Sequence, residues 1–179
     1  MESYPWKHWK NIDAEPDYDN IKIEAVDIWH FVMSEALRIY KVESKGSISD
    51  LAREISTQKS YTPFDTTVST EHDNHYQEII IVEEFIKFLF CNESIEILID
   101  KFFVVALQSG LNLDSLYSLY IGKNILNKFR QNHGYKDGSY IKIWNGQEDN
   151  VVMQKILEQN SDIAPQELYS MLEDSYPLA

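Results

Sequence analysis

The sequence is poor in cysteine and has no long apolar run. Cys91 is the only cysteine among 179 residues, so no intramolecular disulfide is possible, and we expect a reducing, cytoplasmic compartment. No stretch approaches the ~20 apolar residues that a membrane-spanning helix needs. The first ten residues, MESYPWKHWK, have no apolar core of the kind found in signal peptides. These absences predict a soluble, cytoplasmic protein.

Positive charge is also scarce. The chain has 16 Lys and Arg against 29 Asp and Glu, a formal net charge of −13. Because nucleic-acid polymers and anionic membranes attract proteins through clustered Lys and Arg, we expect neither as a partner. The few basic residues are unevenly distributed, and the segment 123–146 contains five of them against one acid. A local basic patch on an acidic protein suits a small phosphorylated ligand.

The apolar residues recur with a helical period almost throughout, which predicts an all-α fold. We expect one domain over 1–179, a helical bundle. Helices are predicted at 21–40, 50–55, 76–90, 94–109, 113–132, 151–159 and 165–173, with Asn20, Ser49 and Asn112 as caps and Gly110 as a helix stop. Residues 56–75 and 135–150 are predicted to be loops, although the β-branched run IKIW within the second could be a strand.

Two acidic residues share one face of the first predicted helix. Glu24 and Asp27 are three residues apart, and Phe31 lies one turn beyond Asp27 on the same side. Taken alone, this stripe is best interpreted as the solvated face of an amphipathic helix. Phe31 favours a second interpretation, because a large aromatic ring is out of place on a solvated face. Two carboxylates with an aromatic neighbour could bind Mg²⁺ and stack a nucleobase.

A basic stripe follows on the long helix predicted over 113–132. Lys123, Asn127 and Arg130 are spaced at i, i+4 and i+7, and Tyr135 and Lys136 come directly after the helix. Cations near a helix C-terminus offset its dipole, which explains Arg130 better than Lys123. The second interpretation is a phosphate clamp, in which a guanidinium and two ammonium groups converge.

Four strings, PWKHWK, EAVDIWHF, KNILNKFRQNHGYKDGSY and WNGQEDN, resemble the dimeric all-α dUTPases. Those enzymes are grouped with phage dCTPases and MazG-like proteins among the all-α NTP pyrophosphatases. The resemblance covers residues 1–40 and 104–160. It implies Mg²⁺-dependent hydrolysis of dUTP, and often dUDP, to dUMP by a homodimer.

The resemblance also implies roles for particular residues. Glu24 and Asp27 match a metal-binding, catalytic E-x-x-D pair, and Phe31 matches the residue that stacks on uracil. The residues that match the segments contacting the nucleotide are Trp9, Lys10, Lys123, Asn127, Arg130, Tyr135 and Lys136.

The resemblance is incomplete at the amino end. The family has a second acidic pair, E-x-x-E, directly before the segment matched by PWKHWK, and this sequence begins after it. We therefore expect the first metal-binding helix to be missing. The alternatives are a nucleotide-binding protein without turnover and a structural helical protein with a solvated acidic face.

Overall fold

The computed structural model describes residues 16–66, 75–90, 94–160 and 162–177. These residues form eight helices and one short hairpin, which confirms the all-α prediction. The chain divides into two compact units, unit 1 (Met1–Leu116) and unit 2 (Tyr117–Ala179), so the single domain stays a prediction. In the described ranges, no helix has the length and apolar character needed to cross a membrane.

Among the described residues, unit 1 contains five complete helices, and unit 2 contains a hairpin followed by two helices. The elements of unit 1 are α1 (Tyr18–Val42), α2 (Ile48–Ser56), α3 (Tyr61–Thr66), α4 (His75–Leu89) and α5 (Ile95–Gln108). Helix α6 (Leu113–Asn132) begins in unit 1 and ends in unit 2. The other elements of unit 2 are β1 (Ile143–Trp144), β2 (Gln147–Glu148), α7 (Asp149–Gln159) and α8 (Pro165–Ser175).

Two of the predicted helix caps were wrong. Asp17 caps α1, and its side chain accepts a hydrogen bond from the backbone N–H of Asn20 at 3.0 Å. Ser47, and not Ser49, caps α2 and forms a capping box with Asp50. A cap side chain accepts from a backbone N–H two or three residues further along the chain, and here several polar residues could fill that position. Which one does so depends on where the buried side of the helix begins.

The long helix α6 begins and ends where the sequence predicts. Asn112 Oδ1 accepts a hydrogen bond from the backbone N–H of Ser115, and the backbone N–H of Asn112 donates to the Ser115 hydroxyl oxygen, both at 2.9 Å. Gly110 has a φ of 78°, the left-handed conformation expected of a helix stop. These signals are local, so the sequence suffices to find them.

The two predicted loops contain elements that the sequence analysis missed. In the first, α3 forms because Phe64 is fully buried and stacks on Phe103 with ring centroids 4.9 Å apart. In the second, β1 and β2 pair antiparallel, with Trp144 opposite Gln147. The strand left open at IKIW is therefore present, although only its last two residues pair.

The core of unit 1 lies between α1 and α5. Val26 and Val32 of α1 are buried, and Trp29 stacks on Phe102 of α5 with centroids 4.9 Å apart. Because one side of α1 is held against α5, its opposite side is presented outward. Glu24 and Asp27, which are partly exposed, are on that outer side.

The core of unit 2 is aromatic. Phe129 and Trp144 are fully buried, and the ring of Phe129 stacks on that of His133 at 3.8 Å. The indole N–H of Trp144 donates to the Ile141 carbonyl at 2.7 Å, and the Ile141 N–H donates to the Tyr176 hydroxyl at 3.0 Å. These bonds hold the hairpin in place, and α7 begins directly after it.

We expect Gly134→Ala to destabilise unit 2 more than Gly138→Ala does. Both glycines have left-handed φ values, 86° and 80°, so alanine costs about 1–2 kcal/mol at either. Only at Gly134 would a Cβ collide, lying 1.9 Å from the Ser139 hydroxyl oxygen. Displacing that side chain costs roughly another 1 kcal/mol in hydrogen bonding. Thermal unfolding followed by circular dichroism measures the difference, and equal losses would contradict the prediction.

Candidate active site

The two predicted acidic residues lie on α1 in unit 1. Glu24 and Asp27 are both partly exposed, and Phe31 is 77 % exposed one turn further along. At a spacing of three and four residues, the three side chains share the outer face of the helix. An aromatic ring so accessible beside two carboxylates is able to stack on a planar ligand.

Phe31 also borders an apolar groove between α1, α4 and α5. The groove has a volume of about 410 Å³, and its walls include Val32, Phe85, Ile86 and Leu98. Its acidic member, Glu35, is paired with Arg38 at 2.7 Å. A groove of this character can accept a base or an apolar side chain.

The acidic pair has the donor chemistry of a Mg²⁺ site. Carboxylate oxygens are hard ligands, and Mg²⁺ commonly takes only one or two of them, with water and substrate phosphate completing its octahedron. Within the described ranges, no group of three or more His, Cys, Asp or Glu side chains could hold a metal ion. Glu24 and Asp27 therefore fit a Mg²⁺ that also needs oxygen ligands from elsewhere.

The predicted basic stripe lies on the part of α6 that belongs to unit 2, and Arg130 is its most constrained member. Its Nε and Nη2 donate to the two carboxylate oxygens of Asp149 at 2.7 and 2.8 Å, and its Nη1 donates to Asn127 Oδ1 at 3.1 Å. Asp149 is completely buried, and the Arg130 side chain is only 12 % exposed. The guanidinium is thus held by a carboxylate to which the sequence analysis gave no role.

Lys123 joins the same network through Asn150. The Lys123 ammonium donates to Asn150 Oδ1 at 3.3 Å, and Arg130 Nη2 donates to the same oxygen at 3.2 Å. Tyr140 completes the network by donating its hydroxyl to Asp149 Oδ2 at 2.7 Å. We call these residues together with Asn127 the basic cluster. Lys123 is 5 % exposed, which is rare for a lysine.

The network shifts the pKa values of its members in the directions that keep the ion pair charged. Burial raises the pKa of Asp149, but hydrogen bonds from Arg130 and Tyr140 outweigh burial, so the net pKa is lowered. Burial lowers the pKa of Arg130, and Asp149 reverses this to a net rise. Burial, followed by the bond to Asp149, raises the pKa of the Tyr140 hydroxyl. Tyr140 therefore stays a neutral donor.

We expect the stability of unit 2 to fall in acid because of Asp149. Its pKa when folded is below the ordinary 3.8, so its contribution is complete above pH 3.8 and is lost as the pH falls through the folded value. Each such group adds a slope of up to about 1.4 kcal/mol per pH unit. NMR of the Trp144 indole N–H reports unfolding of unit 2. Asp149→Asn should show a shallower acid slope, and an unchanged slope would contradict the assignment.

The remaining predicted residues lie beyond α6 or outside the described ranges. Tyr135 and Lys136 are exposed in the turn after α6, and the ring of Tyr135 meets that of Tyr140 edge-on at 5.9 Å. Trp9 and Lys10 fall outside the described residues. The acidic pair belongs to unit 1 and the basic cluster to unit 2, so their meeting around one triphosphate stays a prediction.

Sequence reasoning missed Tyr140, Asp149 and Asn150. All three lie within the strings GYKDGSY and WNGQEDN, which carried the resemblance without roles being given to them. Their partners are 9 to 27 residues away along the chain. The motifs therefore contained these three residues, but the sequence did not show which residues they bind.

The fold is all-α, an acidic pair lies beside an exposed aromatic ring, and a basic cluster lies elsewhere in the chain. This combination indicates an all-α nucleotide pyrophosphatase. A family model described as dUTPase matches residues 1–135, which is most of the chain. The chain therefore belongs to the dUTPase family, as its motifs predicted. The matched residues include the acidic pair, Phe31 and the α6 part of the basic cluster. A search of the curated proteins found no match.

Proposed function

We propose that this protein hydrolyses dUTP to dUMP and pyrophosphate with Mg²⁺, and that it also accepts dUDP. The observation that carries the proposal is the family match over 1–135, which spans the acidic residues, the aromatic ring and the basic stripe. The chemistry of those side chains agrees with a substrate that combines a base, a metal and phosphates.

In this proposal, Glu24 and Asp27 hold the metal and are the catalytic carboxylates, and Phe31 stacks on uracil. The partial exposure of the pair and the accessible ring support these roles. A Mg²⁺ ion bound there would supply charge to the phosphoryl oxygens and acidify a water molecule. The two carboxylates keep that ion on one face of α1.

The nucleotide and its phosphates are assigned to residues of the basic cluster and of the segments around it. We propose that contacts come from Lys123, Asn127, Arg130, Tyr135, Lys136, Trp9 and Lys10. Lys136 is exposed and can move to meet an anion, whereas Lys123 and Arg130 are held in fixed positions. Fixed donors lose little entropy on binding a phosphate, which favours recognition.

We also propose a homodimer. Several large apolar side chains of α1, of α4 and directly after α4 are exposed, among them Leu37, Ile86, Leu89 and Phe90. Exposed apolar surface of this kind is typical of interfaces. Analytical ultracentrifugation should give twice the chain mass of 21.0 kDa. A monomer at all micromolar concentrations would contradict the proposal.

A second candidate is a protein that binds the nucleotide without turning it over. The finding that favours it is the absence, among the described side chains, of any metal-binding group larger than the acidic pair. Multi-metal phosphoryl transfer needs ligands for both ions, and two carboxylates are few for that task.

One experiment separates the two candidates. Pyrophosphate release from dUTP is measured with Mg²⁺ and with a chelator, and dUMP binding is measured by calorimetry on the same sample. Mg²⁺-dependent release supports the enzyme, and dUMP binding without release supports the second candidate. Neither release nor binding would overturn both.

A further inference from the structure

We infer that Asn150 is a positioning residue. Its side-chain oxygen binds both the ammonium of Lys123 and the guanidinium of Arg130 and so holds the two cations close to each other. This inference rests on the proposed function, in which the basic cluster binds phosphates. It concerns a residue beyond the matched range 1–135, for which neither the motif analysis nor the family match supplies a role.

The geometry is that of one acceptor shared by two cations. Asn150 Oδ1 lies 3.3 Å from Lys123 Nζ and 3.2 Å from Arg130 Nη2, so the two nitrogens are at most 6.5 Å apart. An ammonium and a guanidinium are donors only. The side-chain atom that faces both of them is therefore the carboxamide oxygen and not its nitrogen.

An amide oxygen has a property here that a carboxylate lacks. Two cations at this separation repel each other, and the repulsion is stronger in a partly buried site than in water. The amide oxygen satisfies both donors without adding negative charge. The cluster therefore keeps its attraction for an anionic ligand while its donors stay ordered.

The neighbouring residue shows why the distinction matters. Asp149 already supplies a carboxylate, which binds Nε and Nη2 of Arg130 and fixes the plane of the guanidinium. A second carboxylate at position 150 would neutralise the cluster further. The fold would tolerate that change or gain from it, but an incoming phosphate would be repelled.

Asn150 is itself held firmly. Its backbone N–H donates to Asp149 Oδ1 at 2.8 Å, in the first turn of α7. The Asp149 N–H donates in turn to the Lys142 carbonyl at 3.0 Å, which ties the start of α7 to the hairpin. Because the backbone is fixed at this point, the amide oxygen of Asn150 can serve as a stationary reference for both cations.

The test compares Asn150→Asp, Asn150→Ala and Lys123→Met in the full chain. Affinity for inorganic pyrophosphate is measured by calorimetry at fixed Mg²⁺, and melting temperature by scanning calorimetry. The matched control is Asn160→Asp, which adds the same charge at the other end of α7, about 15 Å away at 1.5 Å per residue. The side-chain amide of Asn160 donates to the carbonyl of Ile156, in its own helix.

We expect Asn150→Asp to weaken pyrophosphate binding about tenfold or more at an unchanged or higher melting temperature, because a like charge now opposes the ligand. Asn150→Ala should lower both affinity and melting temperature, and Asn160→Asp should leave affinity unchanged. If Asn150 had only a structural role, affinity for pyrophosphate would change in the same direction as the melting temperature. Asn150→Asp would then bind pyrophosphate at least as tightly as the wild type.

Two results would overturn the inference. One of them would leave the proposed phosphate site intact, and the other would overturn that site as well. If Asn150→Asp binds like the wild type while Lys123→Met loses binding, the role of Asn150 is wrong and the phosphate site stands. If the wild type does not bind pyrophosphate, or if Lys123→Met binds it equally well, the phosphate site fails and the inference fails with it.

Discussion

Replacing Asp149 by alanine should lower the stability of unit 2 by about 3–5 kcal/mol, because it leaves the Arg130 charge buried without its carboxylate. Asp149 is completely buried, and three side-chain hydrogen bonds from Arg130 and Tyr140 end on it. Hydrogen exchange of peptides from 117–160 measures the loss locally. Since about 1.4 kcal/mol is a factor of ten, protection should fall by roughly 100-fold or more.

The adjacent residue offers a matched control. Glu148 pairs with Lys142 at 3.1 Å, but both side chains are about half exposed, and Glu148 makes no side-chain cap to α7. Exposed pairs of this kind contribute about 0–1 kcal/mol. Glu148→Ala should therefore leave protection within a few-fold of the wild type. If the two variants lost equal protection, the Arg130–Asp149 pair would not be the interaction that stabilises unit 2.

Replacing the acidic pair in the double variant Glu24→Gln, Asp27→Asn should reduce Mg²⁺-dependent release of pyrophosphate from dUTP by about 100-fold or more. The amides keep the size of the side chains but no longer carry the charge that holds the cation, and a bound metal supplies several kcal/mol of transition-state stabilisation. Calorimetric titration with Mg²⁺ should show the same loss in the absence of turnover. That second readout also applies if the protein only binds nucleotide.

Asp19→Asn is the control for this change. Asp19 lies in the first turn of the same helix, is 70 % exposed, and pairs with Lys22 at 3.4 Å. Its removal costs a few tenths of a kcal/mol in helix stability and should leave Mg²⁺ binding and turnover unchanged. Equal losses in both variants would mean that α1 merely needs negative charge. No loss in the double variant would end the assignment of Glu24 and Asp27 as metal ligands.

Local signals in the sequence predicted the elements whose boundaries depend on neighbouring residues. Asn112 caps the start of α6, and the left-handed Gly110 follows the end of α5. Both signals are local, because each residue acts on backbone groups within one turn. The burial of Phe64 in α3 depends on Phe103, 39 residues away, and no local pattern announces it. Polar composition alone suggested a loop there.

The same holds for the candidate site. Helical periodicity and the motifs predicted that Glu24, Asp27 and Phe31 share a face, and that Lys123 and Arg130 lie on one stripe. The partner of Arg130 was not, because the chain has 29 acids and only 16 Lys and Arg, and charge alone does not select among them. Choosing Asp149 requires knowing that a hairpin returns the chain to α6. That return depends on Trp144, whose burial is a tertiary event.

The hydroxyl of Tyr176 ties α8 to the backbone of Ile141, 35 residues earlier. The ring of Tyr176 also packs on those of Phe129, Tyr140 and Trp144. Because these contacts join the end of α8 to the hairpin and to α6, we expect unit 2 to open as one cooperative unit. An antibody or a crosslink that restrains α8 would therefore slow opening as far away as Arg130. Restraining the end of α8 would in this way help to keep the side chains of Lys123 and Arg130 in place.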